Sequence, residues 1–313
     1  MKSLFLALIF LLSANSAFSD DTPGRPAILG IGSVDIDVSD AHTPLNFYVR
    51  QLGLAPSTNA CEVPFPNCLS VNAHQRINLL VPITPRDGNY MPEILFETSS
   101  VAQMRNYLTS RGVACDKIQT SPNFRFSLLD PDGHHIGFIQ FAGLRPDSHP
   151  ENQVSNRLIH AGFIVRNRAA EDHFYKDILG FHLYWHGGMK DDGVDDWVAM
   201  QVPDGTDWLE YMLNVSASAD QHTRGVMNHI SLGVSDIQIA YKQLVANSWK
   251  PTEEPKMGRD GKWQLNLYDP DETRIEFMEF TPKEKPCCSP IVGSAPGPIA
   301  GAQTKPPAMP STR

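Results

Sequence analysis

Short stretches in which apolar and polar residues alternate are each followed by a segment whose apolar residues recur every three or four positions. Alternation is typical of a half-buried strand, and the longer spacing is typical of an amphipathic helix. This strand, turn and helix opening occurs four times, starting near residues 32, 93, 160 and 229. Two or three strand-like runs follow each helix, so the pattern predicts four β-α-β-β-β units of about 60 residues each.

Two turns of the same composition support this repeat. Asp130-Pro131-Asp132 ends a strand of the second unit, and Asp269-Pro270-Asp271 ends a strand at the same place in the fourth. Aspartate and proline together favour a turn between strands. His134 and His135 come directly after the first of these turns, and we expect them to be exposed turn residues.

The third and fourth units also share two polar residues within otherwise apolar strands. His160 precedes Glu210 by 50 residues, and His229 precedes Glu276 by 47. In the strand that begins at His229, the apolar residues 230, 232 and 234 must face the helix, which leaves His229 on the opposite face. The same alternation places His160, Glu210 and Glu276 away from their helices.

A histidine and a glutamate that occur twice in register indicate a metal site. Neutral imidazole and carboxylate oxygen suit a borderline divalent ion such as Zn, Ni, Fe or Mn, and do not choose among them. Three or four protein ligands leave positions open for substrate, which is typical of a catalytic site. The alternative is that each residue is only a satisfied polar side chain in a strand, but the repetition and matching orientation favour metal.

The composition and the net charge indicate where in or outside the cell the protein is located and which classes of partner it can bind. The 313 residues are 41% hydrophobic and 19% charged, with a net charge of −9 that argues against nucleic acid as a partner. Residues 1–19 combine a basic start, an apolar run and small residues, which predicts a signal peptide and export to the periplasm or the exterior. No later stretch is apolar for long enough to span a membrane, so we expect no membrane association after cleavage. Cys61 and Cys68 could pair in that oxidising compartment.

The residues from 155 to 282 resemble the vicinal oxygen chelate superfamily, which contains glyoxalases, bleomycin resistance proteins and extradiol dioxygenases. The run from His160 to Val165, followed by Phe174-Tyr175 and Leu179-Gly180-Phe181, resembles the first glyoxalase signature. Asn228 to Leu232 with Asp236 resembles the second. Residues 28–142 show the resemblance weakly.

The resemblance implies an α+β fold of four βαβββ modules, arranged as two paired-module domains with a cup-shaped mixed sheet. The expected organisation is a signal peptide at 1–19, a degenerate domain at 27–145, a metal-binding domain at 155–282 and a flexible Pro-rich tail at 283–313. The first domain is expected to be metal-free, because the matching positions carry no histidine. These positions are Ser33, a polar residue near Asn78, Glu93 and Gly137.

Resemblance to glyoxalase I implies one divalent ion held by His160, Glu210, His229 and Glu276, with Glu276 also serving as the catalytic base. The protein is then a lyase or isomerase that binds a small oxygen-rich substrate by bidentate chelation and transfers a proton through an enediolate. Substrate specificity is expected to depend on Gln264, Asn266, Tyr268, Met278 and His186.

Two alternatives remain. An Fe(II) extradiol-type dioxygenase would use His160, His229 and Glu276 and would leave Glu210 without a role. The dioxygenase signature has a tyrosine where this chain has Asn266. The second alternative is a non-catalytic binding protein like the bleomycin resistance proteins, whose cups generally lack the ligands. The sequence does not predict the oligomeric state.

Overall fold

Two mixed β-sheets follow one another along the chain in the computed structural model. The structure describes residues 23–40, 42–57, 61, 67–82, 90–143 and 150–299. The predicted signal peptide lies outside these residues. In the described part, no helix is long and apolar enough to cross a membrane.

The first sheet contains the strands of the first and second units. Its strands are β1 Ile28–Asp37, β2 Ala55–Pro56, β3 Cys68–Ser70, β4 Arg76–Leu80, β5 Glu93–Thr98, β6 Phe124–Leu129 and β7 His135–Gln140. The second sheet contains the third and fourth units. Its strands are β8 Leu158–Ile164, β9 His182–Gly187, β10 Trp197–Gln201, β11 Trp208–Met212, β12 His229–Val234, β13 Lys256–Met257, β14 Trp263–Tyr268 and β15 Arg274–Glu279.

Each unit has a helix after its first strand. These helices are α1 Thr43–Leu45, which continues as a π-helical segment Asn46–Gln51, α2 Val101–Ser110, α3 Arg168–Asp172, which continues as a π-helical segment His173–Ile178, and α5 Ile237–Ala246. A further helix, α4 Gln221–Met227, precedes the first strand of the fourth unit. The fourth unit shows why the helix forms where it does. The Asp236 side chain caps α5 by accepting from the N–H groups of Gln238 and Ile239, and Ile237, Ala240 and Leu244 form its buried face.

The strand order repeats the same pairing in each sheet. In the second sheet the order is β13-β14-β15-β12-β8-β11-β10-β9. The first strand of a unit pairs in parallel with the last strand of that unit, and the first strands of two units pair antiparallel at the centre. The first sheet, β2-β3-β4-β1-β5-β7-β6, has the same plan. The predicted α+β class and module arrangement are therefore confirmed.

The second unit is shorter than predicted. After its helix only β6 and β7 form among the described residues, and the edge position is filled by a single bridge between Gln119 and Arg125. The apolar faces of all four units join in one core that contains residues of both sheets, including Phe96 and Phe181 with ring centroids 5.3 Å apart. The predicted domain boundaries stay a prediction.

The predicted flexible tail is wrong for residues 283–299. The N–H of Cys287 donates to the Arg259 carbonyl, and the N–H of Val292 donates to the Tyr184 carbonyl. Ser289 Oγ accepts from the His186 N–H and donates to its carbonyl. The Pro-rich composition did not prevent order, because these backbone groups find partners at the rim of the second sheet. Residues 300–313 lie outside the described part.

Both pairs of neighbouring cysteines form disulfides. Cys61 is bonded to Cys68, as the sequence suggested, and Cys287 is bonded to Cys288. The first bond ties Cys61 to Cys68 at the start of strand β3.

Candidate metal centre

The central strands of the second sheet bring the four predicted ligands together. His160 Nε2 lies 3.1 Å from His229 Nε2 and 3.3 Å from Glu276 Oε2. Glu210 Oε2 lies 3.3 Å from His229 Nε2 and 3.9 Å from His160 Nε2. One donor atom each from His160, Glu210 and His229 lies within 4.8 Å of the others. Glu276 joins this group through His160.

Strand register explains why these residues meet. On β8, Gly162 stands between Glu210 on one side and His229 on the other. A Cβ atom at position 162 would lie 2.6 Å from His229 Nδ1, which is closer than real Cβ atoms come to other heavy atoms. The glycine therefore leaves the space that the imidazole ring occupies. On β12, Ser231 pairs with His160 on one side and with Glu276 on the other.

The protonation states of these side chains suit a metal ion. Burial and the nearby charge of Arg274 lower the pKa of His229 to about 4. Burial acts to raise the pKa of Glu276, but the hydrogen bond and charge of His160 outweigh it and lower the pKa to about 2. Burial is likewise outweighed at Glu210, where the two imidazoles hold the pKa below its usual value. Ionised carboxylates and a neutral imidazole are the forms that bind a metal.

The donor arrangement also fits an ion geometrically. Ligands about 2.1 Å from one ion lie about 3.0 to 3.4 Å from each other, and most of the separations above lie in or near this range. His229 Nδ1 lies 3.2 Å from the Met227 carbonyl, which can only accept, so Nδ1 carries the hydrogen and Nε2 presents a lone pair to the centre. His160 and His229 are both fully buried. His160, Glu210 and His229 would therefore hold one divalent ion, with Glu276, which lies 3.3 Å from His160 Nε2, as the expected fourth ligand.

A cavity of about 260 Å³ opens from this group. Its polar and charged lining comprises Tyr184, Glu210, Lys256, Arg259, Asp260, Lys262, Gln264, Asn266, Arg274 and Glu276, and its larger apolar lining comprises Trp185, Trp197, Trp208, Met257 and Met278. Three predicted substrate residues, Gln264, Asn266 and Met278, are in this lining.

The other two predicted substrate residues lie elsewhere. Tyr268 is on the same face of β14, but its hydroxyl donates to Glu253, 3.1 Å away, beyond the cavity lining. His186 is held by Asp195, with Nδ1 2.7 Å from Oδ1, and is outside the lining as well. Alternation gave the correct face for Tyr268 but not the distance along the strand.

Lys262 is the most informative residue that sequence reasoning missed. It is fully buried, and its Nζ lies 4.5 Å from the Trp208 ring centroid, 4.9 Å from the Tyr184 ring centroid and 3.5 Å from Asp260 Oδ2. The signal was present, because the alternation that selects Gln264 and Asn266 on β14 also selects Lys262 when extended two residues back.

Residues 157–277 match the family model of the Glyoxalase/Bleomycin resistance protein/Dioxygenase superfamily. The chain is similar in structure to homoprotocatechuate 2,3-dioxygenase from Brevibacterium fuscum, with a TM-score of 0.60 and 19% identity over 82% of this chain and 72% of that chain. The enzyme of the same name from Arthrobacter globiformis gives a TM-score of 0.60 and 18% identity over 86% of both chains. At such identities the likeness establishes the fold. No curated protein matches the chain in sequence.

Proposed function

Through residues 157–277 the chain belongs to the Glyoxalase/Bleomycin resistance protein/Dioxygenase superfamily, and we propose that it is a divalent-metal-dependent lyase or isomerase of the glyoxalase type. Its substrate would be a small molecule with two neighbouring oxygen atoms. The reaction would move a proton at a carbon next to a carbonyl group.

Glu210 is the observation that carries this proposal. Its Oε2 lies 3.3 Å from His229 Nε2 and 3.9 Å from His160 Nε2, so it faces the same point as the two imidazoles. A centre with two histidines and one carboxylate would be complete without it. A second carboxylate at the same point therefore favours the four-donor centre of the glyoxalase type.

The side chains of the cavity have separable roles in such a reaction. A divalent ion held by His160, Glu210, His229 and Glu276 would supply Lewis acidity to the substrate oxygens. The Glu276 carboxylate, ionised and within the cavity, is the group that we assign to accepting the substrate proton. Lys262 and Arg274 also line the cavity, and their positive charges would orient anionic oxygens.

Two unsatisfied donors support an oxygen-rich substrate. The Tyr184 hydroxyl and Trp208 Nε1 are buried and have no hydrogen-bond partner within the described part of the chain. Both residues line the cavity, and their rings stack with centroids 5.1 Å apart. Because a buried donor without a partner is costly, these groups are suited to substrate oxygens.

The test is solvent proton exchange into small α-hydroxy carbonyl compounds, measured by NMR in deuterated buffer without oxygen. The metal-loaded protein should catalyse exchange, and Glu276→Gln should lower the rate by at least about 100-fold, the lower range for loss of a general base. Equal exchange by both proteins would overturn the assignment of Glu276. Substrate binding without any turnover would overturn the enzymatic proposal.

An Fe(II) extradiol-type dioxygenase is the second candidate, and the fold favours it. The likeness to the two homoprotocatechuate 2,3-dioxygenases extends over both sheets of this chain. His160, His229 and Glu276 would provide the three donors of that chemistry. Oxygen consumption by the Fe(II)-loaded protein with catechols, measured with an oxygen electrode, would establish this candidate in place of the first.

We also propose that the protein works in an oxidising compartment outside the cytoplasm. The Cys61–Cys68 disulfide supports this location, since such bonds persist mainly in exported proteins. Fractionation of cells that produce the full chain, with mass analysis of its N-terminus, would test both export and cleavage after residue 19.

A further inference from the structure

A second group of potential ligands lies where the second unit contacts the third. The turn between β6 and β7 packs on the start of α3. Asp132 Oδ2 accepts from the N–H groups of Arg166 and Asn167 at 2.6 and 3.1 Å. In return the Asp132 N–H donates to Glu171 Oε1 at 2.8 Å. The turn and the helix are therefore held together by backbone groups on both sides.

Asp130, His134 and Glu171 converge inside this contact. One donor atom from each lies within 4.8 Å of the other two. His134 Nδ1 lies 2.7 Å from Asp130 Oδ2, and His134 Nε2 lies 3.0 Å from the Ile164 carbonyl. The carbonyl can only accept, so Nε2 carries a hydrogen. Nδ1 then faces a carboxylate oxygen, so either a proton, on the ring or on the carboxyl group, or a metal ion must lie between them.

Glu171 provides an independent sign that a cation belongs here. The residue is fully buried, Oε1 accepts from the Asp132 N–H, and Oε2 has no donor within the described part of the chain. Asp130 is buried beside it, and neither carboxylate forms an ion pair with a lysine or arginine in that part. A buried carboxylate oxygen without a positive partner is strongly unfavourable.

The fourth unit shows that the contact itself does not need these residues. There the Asp269–Thr273 turn packs on the first unit in the same way, with Asp271 Oδ2 accepting from the Ser39 N–H at 3.0 Å. Asp269 Oδ2 accepts from the Tyr48 hydroxyl at 2.8 Å, as Asp130 Oδ2 does from the Tyr175 hydroxyl at 3.1 Å.

Among the positions that differ between the two contacts are those of the potential ligands Glu171 and His134. Pro44 stands at the place of Glu171, and Thr273 stands at the place of His134. The contact between the sheets therefore forms with a proline and a threonine there, and the buried glutamate and the half-buried histidine require another explanation.

We propose that Asp130, His134 and Glu171 are the protein ligands of a second divalent-cation site, which joins the second unit of the chain to the third. Mixed imidazole and carboxylate donors suit zinc or manganese better than calcium or magnesium, which prefer oxygen alone. To admit the ion, His134 Nδ1 and Asp130 Oδ2 would move apart by about 0.5 Å. The ion replaces the proton between them and provides the missing positive partner for Glu171.

The experiment removes the first centre so that only the second can bind. Full-length His229→Ala protein is stripped with a chelator and titrated with Zn²⁺ and, separately, Mn²⁺, followed by calorimetry and thermal unfolding. We expect one ion per chain and a rise in Tm of roughly 5 °C at saturating ion. In this background, Glu171→Gln and His134→Thr should each weaken binding by at least about tenfold.

The controls keep the result specific. His135→Thr removes the exposed neighbouring imidazole and should leave binding unchanged. Glu171→Gln keeps an oxygen that accepts from the Asp132 N–H, and threonine already stands at the matching position 273, so both variants are expected to fold. The proposal is wrong if the His229→Ala protein binds neither ion, or if Glu171→Gln and His134→Thr bind as tightly as their parent. Neither result would affect the function proposed for the first centre, whose ligands are different residues.

Discussion

The two sheets have the same strand plan but differ at the four positions where their central strands meet. The second sheet has His160, Glu210, His229 and Glu276 at these positions, and the first sheet has Ser33, Asn78, Glu93 and Gly137. The same backbone plan therefore carries a set of potential metal donors in the second half of the chain, and the matching positions of the first half carry no histidine.

In the first sheet the polar side chains at these positions bind each other. Asn78 Nδ2 donates to Ser33 Oγ at 3.0 Å and to Asp35 Oδ1 at 2.8 Å. Glu93 accepts from Arg125 Nη1 at 3.0 Å and from the Ser127 hydroxyl. These are complementary donors and acceptors, and they need no ion. In the second sheet, two imidazole nitrogens and two carboxylates face one another, which is stable only with a positive charge, a proton or a metal ion, between them.

One backbone position marks the difference most clearly. Gly162 leaves room for the His229 ring, whereas the matching residue of the first sheet is Asp35, whose carboxylate accepts from Asn78. The comparison teaches that a shared fold does not carry the site with it. The site depends on the donors and on the space that a single glycine leaves for them.

The largest effect is expected when the second sheet is given the residue of the first at this position. Gly162→Asp should displace the His229 ring, remove one equivalent of bound metal per chain and abolish turnover. Overpacking should lower the free energy of unfolding by roughly 3 kcal/mol. Elemental analysis and urea unfolding measure the two effects. Asp35→Ala is the matched control and should keep its metal. Full metal content in Gly162→Asp would contradict the role given to the glycine.

Glu210→Gln should have the next largest effect. Loss of the Glu210 carboxylate as a donor should weaken metal binding and lower kcat/KM by about 100-fold. This is the upper end of the loss in affinity or activity found when residues around a metal site are mutated. Asn78→Ala, at the matching position of the first sheet, should change neither. The measurements are metal titration and steady-state kinetics. Unchanged binding and turnover in Glu210→Gln would instead support a three-donor centre and the dioxygenase candidate.

The matching turns of the two halves give a pH-dependent prediction. Burial raises the pKa of Asp269 from 3.8 to about 6, although hydrogen bonds from Tyr48 and Thr273 oppose it. The folded chain therefore holds this proton more tightly than the unfolded chain, and the associated stability, complete below pH 3.8, is lost as the pH rises through 6. We expect a loss of about 2 to 3 kcal/mol from this group.

Asp269→Asn should remove that loss, because the amide has no proton to release in this range. The difference in unfolding free energy between the variant and the natural chain, measured by urea titration from pH 4 to pH 7.5, should change in favour of the variant as the pH rises. A difference that stays constant over this range would contradict the raised pKa.

Arg125→Gln in the first sheet should have the smallest effect. It leaves the Glu93 carboxylate with fewer donors in a partly buried position and should lower the free energy of unfolding by about 1 kcal/mol. Metal content and turnover should not change, since the first sheet has no part in the candidate centre. A fall in metal content would show that a change in the first sheet alters metal binding at the candidate centre in the second sheet.

Strand alternation predicted much of the fold and of the site. The convergence of His160, Glu210, His229 and Glu276 could be predicted because each stands in a strand whose apolar neighbours define the other face. Lys262 was missed because it precedes the recognisable strand, although it has the correct parity. Glu171 and His134 could not be predicted from alternation, because their environment arises from a contact between separate units. The order of residues 283–299 depends on backbone partners such as the Tyr184 carbonyl, which composition does not reveal.

The most direct test is the metal content of the purified chain after incubation with Zn, Ni, Fe or Mn and removal of free ions by gel filtration. Both the natural chain and His229→Ala are measured by elemental analysis. The natural chain should hold at least one divalent ion per chain. The variant should hold one equivalent less. A folded natural chain without metal, or equal metal content in both proteins, would contradict the assignment of His160, Glu210, His229 and Glu276 as a metal centre.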